Sequence, residues 1–221
     1  MNKILSSILW LIVAISSASL YAETHYVKSS HAELDHIGTS FSWQTVMQEM
    51  QSNDIVQGQF GQSKHLKILK KPIQSSGTFT YARHSGLIWH TEKPLPATIV
   101  IQGQDIYRVQ DGQKNLLVKD KQQGISAILL HIMSGNLTSL NNIFDIDASN
   151  TNKGWLMALT PKKGNDAYLF SKIELIGQQH ISSVTLTEPQ GTQTVIILSD
   201  LSNQPLSSAQ QQLLKPVSLA P

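Results

Sequence analysis

The chain has 221 residues, a formal net charge of +2 and only 14% charged residues. That charge is too sparse for the dense basic footprint of a nucleic-acid partner, and Gln, Ser, Asn and Thr make up the polar surface instead. The absence of cysteine excludes disulfides, thiolate metal sites and lipid attachment to a cysteine of its own.

In chain order, Met1-Asn2-Lys3 is a short cationic start, Ile4 to Leu20 is mostly apolar but broken by serines, and Leu20-Tyr21-Ala22 offers small residues for cleavage after Ala22. This is the layout of a secretory signal peptide over residues 1–22, with cleavage after Ala18 as the other choice. The stretch is shorter and more polar than the ~20 apolar residues of a membrane-spanning helix. A cysteine-free exported chain suits the periplasm of a Gram-negative bacterium. Residues 23–39 are a polar, aperiodic lead-in, and residues 40–221 are one domain, long enough for a sizeable core.

Trp43, Val46, Met47 and Met50 fall at i, i+3, i+4 and i+7 behind a candidate N-cap, Ser42, which predicts an amphipathic helix. Short β-like runs follow at Ile55–His65, Gly77–Arg83, Leu87–Thr91, Ala97–Gln102, Asp105–Gln110 and Asn115–Val118. Turns are expected at Ser75-Ser76, His84-Ser85-Gly86, Gln102-Gly103 and Asp111-Gly112. Ile125, Ile128, Leu129, Ile132 and Met133 then share one helical face, with Gly135 as C-cap. A second β series is expected at Ile143–Ala148, Trp155–Thr160, Asp166–Ile176, Ile181–Thr187 and Gln193–Ser199, and a short helix in Leu206–Lys215. About eleven antiparallel strands with two or three helices predict a mainly β (α+β) fold, a strongly curved half-barrel sheet wrapped around helices. Such a sheet either packs solid or encloses a ligand cavity.

Strand alternation sorts the large apolar residues by face. Phe79 and Tyr81 share a face, as do Leu87 and Trp89, Ile99 and Ile101, and Trp155, Met157 and Leu159. The same alternation describes any half-buried strand, so on alternation alone a filled core is the favoured reading. Chemistry-bearing motifs are missing: there is no G-x-S-x-G elbow, no H-E-x-x-H and no P-loop, so neither catalytic residues nor cofactors are assigned. His25, His31 and His36 lack the spacing of a helical ligand pair, and no metal site is assigned. His131 and His180 read as polar surface positions. Lys64, Lys67, Lys70 and Lys71 cluster beside the first strand. They read either as solvated lysines that discourage edge pairing or as a contact for an anionic head group or membrane surface.

The run FGQSKHLKILKKPIQSSGTFTYARHSGLIWHTEKP, Phe60 to Pro94, resembles the LolA family, the periplasmic carriers of outer-membrane lipoproteins. Val56-Gln57-Gly58-Gln59-Phe60-Gly61-Gln62 is similar to the family's first-strand F-x-Q, and Ser76-Gly77, Arg83, Trp89 and Pro94 follow at the family's spacing. Trp155-Leu156-Met157-Ala158-Leu159-Thr160-Pro161 resembles its W-x-L-x-L-x-P strand. Ile173-Glu174-Leu175, Val184 to Gly191, and Leu206-Ser207 resemble its later strands and tail. The chain departs from the housekeeping carrier at Arg83-His84, where that protein has Arg-Pro, and at Gln102-Gly103, where it has Asp-Gly. Leu69 to Gly77 looks more like the accessory LolA-like proteins, which are often associated with fatty-acid-like or aryl-polyene biosynthesis.

The resemblance implies a non-catalytic carrier whose apolar cavity takes acyl chains of lipoproteins, or a related lipid, from an inner-membrane transporter to an outer-membrane acceptor. It implies a cavity lined by Phe60, Phe79, Tyr81, Leu87, Trp89, Ile99, Ile101, Trp155 and Met157 under a lid carrying Leu129, Ile132 and Met133. The matching Arg83 would latch that lid by hydrogen bonds to helix carbonyls. A monomer is expected. Burying ~14 methylenes at roughly 0.8 kcal/mol each gives on the order of 10 kcal/mol before ordering costs. The alternative is a lipid-sensing or interaction module of the same fold that contacts a membrane regulator.

Overall fold

The computed structural model describes residues 44, 46, 53–103, 105–119, 125–151, 154–162 and 170–216. Its frame is one antiparallel sheet of eleven strands: β1 Ile55–His65, β2 Ile73–Ala82, β3 Gly86–Lys93, β4 Ala97–Gln102, β5 Asp105–Gln110, β6 Gln113–Lys119, β7 Phe144–Thr151, β8 Gly154–Pro161, β9 Lys172–Gly177, β10 Ile181–Thr187 and β11 Gln193–Ser202. The spatial order is β6-β5-β4-β3-β2-β1-β11-β10-β9-β8-β7. The sheet is therefore two meanders, β1–β6 and β7–β11, joined side by side through β1 and β11. It stays open, with β6 and β7 as its edges.

Between those edge strands the chain runs through helices α1 Ile125–Met133 and α2 Leu137–Asn141, and a last helix, α3 Ser208–Leu214, follows β11. The predicted series is recovered almost strand for strand. Two differences stand out. Ser75-Ser76 is not a turn but part of β2, with Ser75 paired to Gln62 and Ser76 to Gly61. The short helix α2 was not expected; it is capped by Asn136, whose side chain accepts from the Ser139 N–H. Of the helix predicted around Trp43–Met50, Gln44 and Val46 are described and are helical. The signal segment, the lead-in, and the start of the strand predicted from Asp166 lie outside the described residues.

Curvature comes from register shifts and glycines. Pairing slips between Gln57 and Gln59, between Ser76 and Gly77, between Ile106 and Tyr107 and between Ile181 and Ser183, and such bulges bend the bulged strand and raise its local twist. At Gly58 an added Cβ would sit 2.6 Å from the Ser199 carbonyl oxygen, and at Gly77 it would overlap that of His90. At both sites the strands approach too closely for a side chain.

Alternation gives the sheet two apolar faces. The concave face holds the large cluster, to which all the inner strands contribute and into which Ile128 and Ile132 of α1 insert. On the convex face Ile88, Val100 and Ala82 pack with Leu214, so α3 straps the outside of β3 and β4. Its N-terminus is a capping box of Ser207 and Gln210. Gln210 also donates to Gln57 Oε1 at 2.9 Å and Thr80 Oγ1 at 2.8 Å. Gln102, one of the departures from the housekeeping pattern, donates to the Leu214 carbonyl at 2.8 Å and accepts from Lys114 Nζ at 2.6 Å. It thereby ties the β4–β5 turn to the strap. Burial in this contact lowers the Lys114 pKa.

Candidate functional site

The concave face is built in rows, because directly paired residues project side by side. Tyr81 pairs with Leu87 and Leu87 with Ile101; Phe79 pairs with Trp89 and Trp89 with Ile99. Gly77, opposite Thr91, leaves room beside the indole of Trp89. Phe60 fills it, stacked on that ring at 3.9 Å between centroids. Across the seam, Met157 pairs with Leu175 and Leu159 with Ile173. Trp155 closes the opposite rim, its Nε1–H donating to the Gln178 carbonyl at 2.6 Å.

The structure thus brings Phe60, Phe79, Tyr81, Leu87, Trp89, Ile99, Ile101, Ile132, Trp155 and Met157 into one cluster, with Met133 packed against it. The side chain of Leu129 lies outside the described residues. Sequence reasoning left Ile173, Leu175, Val184, Leu186, Ile196 and Leu198 off the face, although their alternation carried the same signal as that of β2–β4.

Over this face lies α1. It ends in a Schellman motif: Gly135 has φ 65°, its N–H bonds the Ile132 carbonyl at 3.2 Å, and the Asn136 N–H reaches the His131 carbonyl at 3.0 Å. The face beneath it is closed. Phe79 and Leu87 are 1% exposed and Met157 is 0%. A cavity bordered by Val56, Phe79, Met133, Ile181 and Leu198 measures about 20 Å³, far less than an acyl chain. An open groove of about 1130 Å³ runs along the rim of the β2–β3 and β4–β5 turns; Tyr81, Arg83, Gln102, Leu130, His131 and Ser134 are among its walls.

Two groups on this rim reach across to neighbouring segments. Tyr81 and Ser134, just past α1, both line the groove. Burial pushes the Tyr81 pKa above the ordinary value; the nearby Arg83 charge and the Ser134 hydroxyl oppose that, and Asp54 adds to it. Arg83 donates from Nε to Asp54 Oδ1 at 3.0 Å and from Nη2 to the Asn53 carbonyl at 2.9 Å. Its described partners thus lie in the segment entering β1. His131, expected on the surface, is half-buried in the groove, and burial lowers its pKa. His180 is also partly buried, against the small cavity.

At the other end the same face turns polar. Gln62 and Lys64 of β1, Ser75 of β2 and Thr194 of β11 are all buried on the concave side, with Gln62 paired to Ser75 and Lys64 to Thr194. Lys64 was grouped by sequence with the solvated lysines of a sheet edge. In the structure β1 is a central strand, and Lys64 points inward to an ion pair with Glu188 at 3.1 Å. Trp89 Nε1, Ser75 Oγ and Thr194 Oγ1 are buried without a hydrogen-bond partner among the described residues. Lys67, Lys70 and Lys71 are exposed in the β1–β2 loop. The described residues contain no group of three or more His, Asp or Glu placed to hold a metal ion.

The family model described as "Outer membrane lipoprotein carrier protein LolA" matches residues 51–212. The outer-membrane lipoprotein carrier protein of Neisseria meningitidis serogroup B is 28% identical over 154 residues, 69% of this chain and 72% of that protein. That of Dechloromonas aromatica is 28% identical over 153 residues, 68% and 72% of the two chains. Among solved structures, a LolA-superfamily protein from Nitrosomonas europaea is similar with a TM-score of 0.46 at 10% identity, over 81% of this chain and 100% of that one.

Proposed function

The chain belongs to the LolA family, and from that premise we propose that it is a periplasmic carrier for the acyl chains of lipoproteins or a related lipid. The observation that carries this reading is the single apolar face drawn from both meanders and covered by α1, whose Ile128 and Ile132 share the cluster of the sheet. Among the described residues the cluster beneath α1 is buried, so cargo reaches it only by displacing that helix. Cargo takes the place of α1 against Phe60, Phe79, Tyr81, Leu87, Trp89, Ile99, Ile101, Trp155 and Met157, and Leu129, Ile132 and Met133 move with the helix. Each methylene transferred adds roughly 0.8 kcal/mol, against which the lost helix contacts must be set.

In this reading Arg83 and Tyr81 are the latch. Arg83 fixes the chain ahead of β1 and Tyr81 fixes the end of α1, both at the rim of the groove. Residues 1–22 direct export, an inner-membrane transporter donates the cargo, an outer-membrane acceptor receives it, and the carrier works as a monomer without catalysis.

The test is native mass spectrometry with lipid extraction on protein purified from the periplasm without detergent, paired with titration of a fluorescent fatty acid. A stoichiometric lipid adduct, or saturable binding that Arg83→Leu and Tyr81→Phe release at least several-fold faster, supports the carrier. Absence of both adduct and saturable binding overturns it.

A further inference from the structure

The β1–β2 turn displays apolar side chains that nothing in the fold uses. It is closed by the Leu69 N–H bonding the Leu66 carbonyl at 3.0 Å, so Lys67 and Ile68 sit at its tip in a fixed geometry. Such tips usually carry Gly, Asn, Asp or Ser. Here Ile68 is 89% exposed and Leu69 45%, and on the β3–β4 loop, at the same end of the sheet, Leu95 is 43% exposed. Lys67, Lys70 and Lys71 surround the tip and Lys93 flanks Leu95, all exposed. Among the described residues, Glu188 is taken up by Lys64 at 3.1 Å, and Glu92 is an exposed acid next to Lys93 in sequence.

We propose that this turn is a membrane-docking tip, placing its end of the sheet on an anionic bilayer surface with Ile68 and Leu69 below the headgroups and the lysines among them. Apolar side chains inside a collar of cations match the two layers of a bilayer interface. Two or three side chains are too few for a standard protein interface of ≈ 800 Å² per partner, yet suffice to enter a lipid surface. The tip lies at the opposite end of the strands from the Arg83 groove, so docking leaves that groove facing away from the membrane. The inference stands on exposure and charge and does not depend on the carrier reading.

The experiment is co-sedimentation of the exported protein with vesicles of phosphatidylglycerol and phosphatidylethanolamine, and with vesicles of phosphatidylcholine alone. Binding is expected to the anionic vesicles, weakening with salt. Lys67→Gln and Lys70→Gln should each weaken it about fivefold, and Ile68→Ser at least tenfold. Thermal midpoints and fatty-acid titration should stay unchanged for Ile68→Ser and Lys70→Gln, whose side chains are exposed; Lys67, whose Cε and Nζ lie over Gly191, is the one that can also shift the midpoint. The proposal is overturned if the anionic vesicles retain no protein, or if Ile68→Ser binds them as tightly as the parent chain.

Discussion

Lys64 and Glu188 form a pair whose side chains are 4% and 12% exposed. Removing two charges from water costs several kcal/mol per ion, and the pair is tolerable only while both members are present. Glu188→Gln leaves an ammonium buried on the concave face and should destabilise the fold by about 3 kcal/mol or more. Lys64→Met should do less harm, because Glu188 can turn to water. Urea denaturation of both variants checks the order; equal losses would show that Lys64 also reaches solvent. The inward direction of Lys64 was legible, since Phe60, Gln62 and Lys64 share one parity along β1. What hid it was the company of Lys67, Lys70 and Lys71, which suggests a solvated edge. That β1 lies in the middle of the sheet depends on its pairing with β11, and no local pattern encodes that pairing.

Helix α1 carries the pH response. Burial lowers the His131 pKa from its ordinary 6.5. Above pH 6.5 the imidazole is neutral in folded and unfolded chains alike, and it has no effect on stability. As the pH falls below 6.5 the unfolded chain binds a proton that the folded chain resists, and stability is lost down to the lowered pKa. The urea midpoint should therefore drop further between pH 7.5 and pH 5.5 in the parent chain than in His131→Gln, and equal drops would refute this. The element itself was plain in the sequence, because an apolar stripe ending in glycine has few other readings. Helix α2 was not, since five residues of LTSLN show neither period nor amphipathic face. The false turn at Ser75-Ser76 has the opposite cause. Small polar residues signal a turn in isolation, but Ser75 is the concave partner of Gln62. Likewise the strap α3 was expected only as a helix. Its seat on Ile88 and Val100 became visible once the sheet assigned those residues to the outer face.

Across the whole molecule, the contacts within each meander are between neighbours in sequence, while the β1–β11 seam joins residues as distant as Phe60 and Leu198. Closing so long a loop carries an entropy cost that hairpins avoid, which places the seam late in folding. Leu198→Ala should then cost about 2–5 kcal/mol, expressed mainly as faster unfolding with little change in the folding rate. Stopped-flow chevrons would show it, and a matching slowdown of folding would mean the seam forms early. The edges bear on the same point. The segment carrying α1 leaves β6 at one edge and enters β7 at the other, so the roof is tethered to both lips of the sheet. A chain with formed meanders and an unclosed seam presents β1 and β11 as free edges of complementary shape. At high concentration the β1 of one molecule can take the β11 of another, and refolding there should yield a reciprocally swapped dimer that dilution alone is slow to undo.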